Sequence, residues 1–361
     1  MRVPLAMLAL LPLAAWPVDA RQKDGARLPN AAHEFLAAHF QLGVRDFQDI
    51  DRRRPVTRTL ETVDGREVAT FGVVQIGAPA SFYVDQLRDI VRFKKESPAV
   101  LQIGAFSKPA RLDDVAALSL DPSDVEGLRR CRPGDCRVQL SADALERVRR
   151  DIPWGRPDAK AVADRTIREV LVDLVNEYRA RGDAALMTYV DAERPLSLSS
   201  EFRSMIASRP AVLERFPDLH RHLLEFPRGS LPDGRDINDI VYWSKEKMGP
   251  AVIISVTHLA IAPLGGSGAG AFAAASKQIY GSHYFDSSLG ITILLDAAAG
   301  RESSALLVYV NRSRLDALGG FWGGLKRAVV RSRTRSTMGS SLIEARDLVE
   351  RRFRRLSASA G

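Results

Sequence analysis

Val252-Ile-Ile-Ser-Val-Thr-His-Leu-Ala-Ile261, Leu289-Gly-Ile-Thr-Ile-Leu-Leu-Asp296 and Ala305-Leu-Leu-Val-Tyr-Val-Asn311 are the stretches on which the fold turns. In the first, Ile254, Val256, His258 and Ala260 alternate with Ile253, Ser255, Thr257, Leu259 and Ile261, a period of two that predicts a strand. The second and third repeat the β-branched and leucine character. The polar loop Asp296-Ala-Ala-Ala-Gly-Arg-Glu-Ser303 between them makes a hairpin the economical pairing.

After these strands comes Gly319-Gly-Phe-Trp-Gly-Gly324. Then Leu325, Ala328, Val329, Ser332, Ser336, Gly339, Leu342, Ala345, Val349 and Phe353 recur at helical spacing. Small residues in the middle of that stripe predict a helix lying close to whatever it covers. Strands followed by one long terminal helix packed across them define an α+β class. This order resembles the helix-grip architecture of the START and polyketide-cyclase-like superfamily. The resemblance implies a curved antiparallel sheet wrapped around a long C-terminal helix and an apolar cavity between them.

Working outward, residues 229–361 read as this C-terminal α+β domain. Pro227-Arg-Gly-Ser-Leu-Pro-Asp-Gly234, dense in turn formers, is the expected boundary before it. Residues 156–228 read as a helical segment, with a long amphipathic helix from Pro157 to Arg181 that stops at Gly182, then shorter helices broken at Pro210 and Pro217. Residues 57–155 read as an N-terminal α+β region. Its strands at Thr59 to Glu61 and Glu67 to Ile76 are joined through Val63-Asp64-Gly65, and helix starts are signalled at Asp121-Pro122 and Ser141. Residues 21–56 are a polar segment with a short helix. Residues 1–20 carry one basic residue, an apolar run and small residues at Val18-Asp19-Ala20, the pattern of a secretory signal peptide cut after Ala20, with a retained anchor as the alternative.

Export places the two cysteines, Cys131 and Cys136, in an oxidising compartment. Pro133-Gly134 between them sets a tight turn, so a disulfide is expected. No metal site is expected. His220 and His222 lie two apart on a helix and diverge, and the acid pairs Asp113-Asp114 and Asp236/Asp239 have no histidine or cysteine close in sequence. No cofactor motif is present either: the glycines of Gly265-Gly-Ser-Gly-Ala269 lack the ending of a phosphate loop and the late histidine of a nucleophile elbow. Pro250 to Ser276 holds no charged residue, but Pro263, the glycines and His258 divide it into a buried strand plus loop rather than a membrane span.

From Arg312 to Gly361 there are twelve basic residues against four acidic ones, an excess of eight that equals the net charge of +8 of the whole chain. Lys326, Arg327, Arg331, Arg333 and Arg335 are the candidate contacts to an anionic surface such as a membrane. Nucleic acid is disfavoured, because no aromatic residues interleave the arginines.

The densest polar and aromatic cluster is Ser276-Lys-Gln-Ile-Tyr-Gly-Ser-His-Tyr-Phe-Asp286. If it is extended, Lys277, Ile279, Gly281, His283 and Phe285 share one face and Gln278, Tyr280, Ser282, Tyr284 and Asp286 the other. The leading expectation is an exported, non-enzymatic protein that binds a hydrophobic or amphipathic small molecule, such as a lipid, near a membrane. Tyr280, His283, Tyr284, His258 and Trp322 would line the site. The alternatives are a hydrolase- or cyclase-type enzyme using His283 with Asp286 and Tyr280, and an interaction module docking through the arginine-rich helix.

Overall fold

A computed structural model describes residues 30–207, 216–228, 237–248, 251–264, 270–297, 304–315 and 323–359; side chains of the last helix are described from Thr334 on. The expected signal peptide, Phe321 and Trp322 lie outside these residues, as do Gly265 to Ala269 and most of the expected domain boundary.

In chain order the elements are α1 (Asn30–Phe40), α2 (Val44–Asp51), β1 (Val56–Leu60), β2 (Glu67–Ile76), α3 (Ala80–Arg88), α4 (Ile90–Lys94) and β3 (Val100–Ala105). They continue with α5 (Pro122–Arg130), α6 (Ala142–Asp151), α7 (Ala159–Arg181), the short strands β4 (Thr188–Tyr189) and β5 (Leu196–Ser197), α8 (Leu198–Ala207) and α9 (Pro217–Glu225). Last come β6 (Asn238–Met248), β7 (Ala251–Pro263), β8 (Ala271–Gly281), β9 (Phe285–Ala297), β10 (Ser304–Leu315) and α10 (Gly323–Ser359). The class is α+β, with the long C-terminal helix packed on the sheet as the sequence predicts.

Eight strands form one antiparallel sheet in the order β1-β2-β10-β9-β8-β7-β6-β3. The predicted hairpins are there: β1 pairs with β2 from Val56↔Val73 to Leu60↔Ala69, and β9 with β10 from Ser304↔Ala297 onward. The division into an N-terminal and a C-terminal α+β unit is not reproduced. Strands from residues 57–155 cap both edges of the meander β6 to β10, so the two regions share one sheet. A sheet edge is a row of unpaired N–H and C=O groups, and pairing satisfies them.

Both faces of the sheet are covered. On one, Met338, Leu342 and Val349 of α10 and Tyr83, Val84 and Leu87 of α3 bury Val74, Ile76, Leu259, Ile261, Leu294 and Leu307. On the other, α1, α2 and α5 to α9 cover Phe71, Val73, Ile254, Val256, Ile293 and Val308. The close approach of α10 comes from the strand and not from the small residues of the helix. A Cβ on Gly72 would sit 2.6 Å from Leu342 Cδ1 and 3.0 Å from Met338 Cγ, whereas one on Gly339 would meet nothing nearer than 3.9 Å, and Ser336 is exposed. The ground beneath α10 at Gly72 is therefore occupied by the helix's own methionine and leucine side chains. Cys131 and Cys136 form the expected disulfide. Among the described residues, no helix is long and apolar enough to cross a membrane.

Part of the C-terminal positive charge is used inside the fold. Arg312 pairs with Glu67 at 2.5 Å, and Arg314 reaches Glu201 at 2.8 Å and Glu67 at 3.4 Å, all four side chains lying largely inside. On α10, Arg352 donates to Glu96 and Gln86, and Arg346 donates to the carbonyl of Arg53 at 2.7 Å. Arg335 is exposed.

Candidate functional site

The inward parity of three neighbouring strands builds the site. Val241 of β6 lies opposite His258 of β7, and His258 lies opposite Lys277 of β8. Asp239 is two residues before Val241 and so shares its face. Three ionisable side chains thus stand on the helix-covered face, among Ile254, Val256, Ala260 and Ala275. A polar group in such surroundings requires a partner, because an unpartnered one costs about 1–3 kcal/mol.

The partners come from the helices. Tyr178, in the last turn of α7, hydrogen-bonds His258 Nδ1 through its hydroxyl at 2.9 Å. His258 Nε2 lies 2.7 Å from Asp239 Oδ1, and His222 Nε2, from α9, lies 2.8 Å from that same oxygen. Phe226 stacks on Tyr178 with ring centroids 5.0 Å apart and leans on His258 at 4.4 Å. What lets this segment close in is Gly182, at φ +62°, where a Cβ would fall 1.8 Å from the carbonyl oxygen of Phe226. Alongside, Lys277 Nζ donates to Asp183 and to the Leu223 carbonyl and sits 5.0 Å from the Phe202 ring centroid.

The electrostatics follow from burial and these bonds. Burial opposes ionisation of Asp239, but the hydrogen bonds from His222 and His258 override it and hold the carboxyl at about 2. Burial lowers His258 below the ordinary histidine value against the pull of Asp239, with Lys277 and His222 adding to the push. Neutral His258 facing a carboxylate carries its proton on Nε2, so its Nδ1 accepts the Tyr178 proton, an assignment made from the network. Burial raises Tyr178 well above its usual range, so its hydroxyl keeps that proton. Burial lowers Lys277, against the attraction of Asp183.

This cluster opens on a cleft of about 510 Å³ lined by Lys108, Pro109, Asn176, Arg179, Ala180, Phe226, Asp239 and Val241. Arg179 donates to the carbonyls of Phe106 and Ser107, and Asn176 is tied to the backbone of Ala110 through both its amide atoms. The cleft's lining thus combines apolar surface from Pro109, Phe226 and Val241 with two cations, Lys108 and Arg179, and one carboxylate, Asp239.

Several sequence expectations are corrected here. Residues that are far apart in sequence and gave no metal-ligand spacing there come together in three dimensions: ligand atoms of His222, Asp239 and His258 lie within 4.8 Å of one another. Residues 282–284 form a turn, not extended chain, so the predicted alternation from Lys277 to Asp286 stops at Gly281. It is already broken before that. Val256 pairs with Tyr280 and Thr257 with Gln278, so Ile279 bulges out and both Ile279 and Tyr280 face the helical layer.

The expected His283 and Asp286 pair is not formed. His283 Nε2 lies 3.0 Å from Asp124 and its Nδ1 2.8 Å from the Arg137 carbonyl oxygen, while Asp286 accepts from Arg66 at 3.2 Å. Tyr280 is 1 % exposed and packs edge-on to Tyr189. Tyr284 is half exposed at φ 64°, beside a smaller cleft of about 240 Å³ shared with His283, Asp121, Ser123, Asp124, Arg137 and Val252. None of these side chains lies between α10 and the sheet. Tyr280 and His258 are on the opposite face.

Sequence reasoning missed Tyr178, Asp183, His222 and Asp239 as members of one constellation. The available signal was His258 itself, a lone imidazole in a charge-free run, which had to find polar partners from elsewhere in the chain. No protein-family model matches this sequence, and no curated protein matches it either.

Proposed function

We propose that this chain is a binding protein for a small amphipathic acid, held in the cleft beside Asp239 rather than under the last helix. The observation that carries this reading is the cleft's lining: Pro109, Phe226 and Val241 offer apolar surface, Lys108 and Arg179 positive charge, and Asp239 a carboxylate. Its volume of about 510 Å³ suits a drug-sized guest. An apolar body would lie on Phe226 and Val241, an anionic group would face Lys108 and Arg179, and a hydroxyl or amide N–H would donate to Asp239.

Binding is favoured over catalysis by the same geometry. Asp239 is the member of the polar chain that reaches the cleft, and a carboxylate held at about 2 is a weak proton acceptor near neutrality. His258, the natural acid-base group, is 0 % exposed and stands behind Asp239. We further place the protein outside the cytoplasm and close to an anionic membrane surface. The N-terminal apolar run and the Cys131–Cys136 disulfide support the first, and the exposed Arg335 on the arginine-rich helix supports the second.

Denaturing extraction of the purified full chain, followed by mass spectrometry, is expected to release one amphipathic acid per protein. Ala180→Trp, which fills the cleft from its solvent side, is expected to empty it. Retention of the same molecule by that variant, or release of none by the wild type, would refute the reading.

A further inference from the structure

The His222, Asp239 and His258 cluster has features that a structural hydrogen-bond hub does not need. Both imidazoles aim the same nitrogen, Nε2, at the same carboxylate oxygen, at 2.8 and 2.7 Å. Two imidazole nitrogens and one carboxylate oxygen converging within 4.8 Å form the N₂O donor set of an open transition-metal site, one that leaves a coordination position for water or ligand. The carboxylate is unusual in its company as well. Among the described residues its ion-pair partners are His222 and His258, and no lysine or arginine lies within ion-pair distance. The nearby Lys277 is matched by Asp183.

The supporting shell is also in place. A ligating histidine is normally oriented by a hydrogen bond at its other ring nitrogen, and Tyr178 supplies that bond to His258 Nδ1. With an ion at Nε2, the one proton of the neutral imidazole would sit on Nδ1 and donate to the Tyr178 oxygen, the reverse of the direction in the ion-free site. His222 is less constrained. Its Nδ1 is buried and has no hydrogen-bonding group among the described residues, so Asp239 is the hydrogen-bond partner that orients this ring, which packs edge-on to Phe226.

We infer that His222, Asp239 and His258 bind one divalent transition-metal ion of the zinc class, with Tyr178 as the residue that positions His258. Thiolates are absent from the donor set, and a borderline ion matches imidazole plus carboxylate better than a hard ion such as magnesium or calcium, which takes six or more oxygens. The ion would sit where Asp239 meets the cleft, giving that wall a positive centre. The inference does not depend on the amphipathic acid, because the bare ion is the probe.

The test is calorimetric titration of the chelator-stripped full chain with Zn²⁺, paired with the visible absorption of the Co²⁺ complex, which reports a low-coordinate N/O environment. One equivalent is expected to bind. Asp239→Asn and His222→Gln are each expected to weaken binding by about 100-fold or more, and Tyr178→Phe by about 10-fold, within the range for loss of an outer partner. His33→Gln, at an exposed histidine on α1, is expected to bind as the wild type does. Circular dichroism verifies that each variant is folded, and His222→Gln serves if Asp239→Asn is not. Failure to saturate, or wild-type affinity in a folded Asp239→Asn or His222→Gln variant, would overturn the assignment.

Discussion

The two faces of the sheet solve the same packing problem with different chemistry. Under α10 and α3 the middle of the sheet meets methionine, leucine, valine and tyrosine, and ion pairs such as Lys94 with Glu246 and Arg53 with Glu350 keep at least one side chain partly exposed. Under the helical layer, Glu67, Asp239, Lys245, His258, Lys277, Arg312 and Arg314 point inward from the strands. A face that only had to be buried has no use for seven ionisable groups, since desolvating each costs several kcal/mol before its partner offsets it. The face that carries them is the one where the strands present something besides shape.

That contrast can be broken by mutation. Glu67→Leu removes the buried carboxylate that Arg312 and Arg314 share. Urea denaturation at pH 7 is expected to show a loss of about 3–5 kcal/mol. A loss below about 1 kcal/mol would mean that these ions are solvated and the faces are alike.

On the other face the weak point is steric. Gly72→Val places a side chain where Leu342 and Met338 already sit and is expected to cost about 1–3 kcal/mol. Combining it with Leu342→Ala is expected to cost less than the sum of the two single changes. Additive losses would show that α10 does not rest on Gly72.

The smallest effect sharpens the contrast through pH. The folded state keeps His258 uncharged, because burial lowers its pKa while His222, Asp239, Lys277 and Tyr178 surround it. The unfolded chain takes up a proton below about pH 6.5 and the folded chain does not, so stability falls as pH drops from that value toward the lowered one, by at most about 1.4 kcal/mol per pH unit. Asp239 adds a second loss lower down, present above the ordinary carboxylate value and lost as pH falls toward about 2. Urea titrations at a series of pH values should show the first slope in the wild type and its removal in His258→Gln. An unchanged slope would remove His258 as its source.

The amphipathic strands, the two hairpins, the C-terminal helix and the disulfide could be read from the chain, because each follows from near-neighbour pattern. Period-two runs such as Val252 to Ile261 and the turn at Val63-Asp64-Gly65 carry their own instructions. The partnering of β2 with β10 could not, since nothing near Glu67 announces Arg314. The site was hidden for a related reason. His222 and Asp239 each look like an ordinary surface residue in its own segment, and only the β6–β7 register and the seating of α9 bring them to His258. The run from Lys277 to Asp286 misled because a one-residue bulge at Ile279 reverses the parity, a shift that no alternation pattern displays.

Glu67 and Arg314 are 247 residues apart, yet the strands that hold them lie side by side. A ribosome delivers β1, β2 and β3 first; β3 then waits for β6, and the inner edge of β2 waits for β10. The first hairpin cannot be locked in by its long-range neighbour during synthesis, so the sheet closes late and slowly, as expected of a topology dominated by distant contacts. A chain built this way stays open until its last strand arrives, and a nascent fragment that stops short of β10 exposes strand edges that no other part of the molecule can cover.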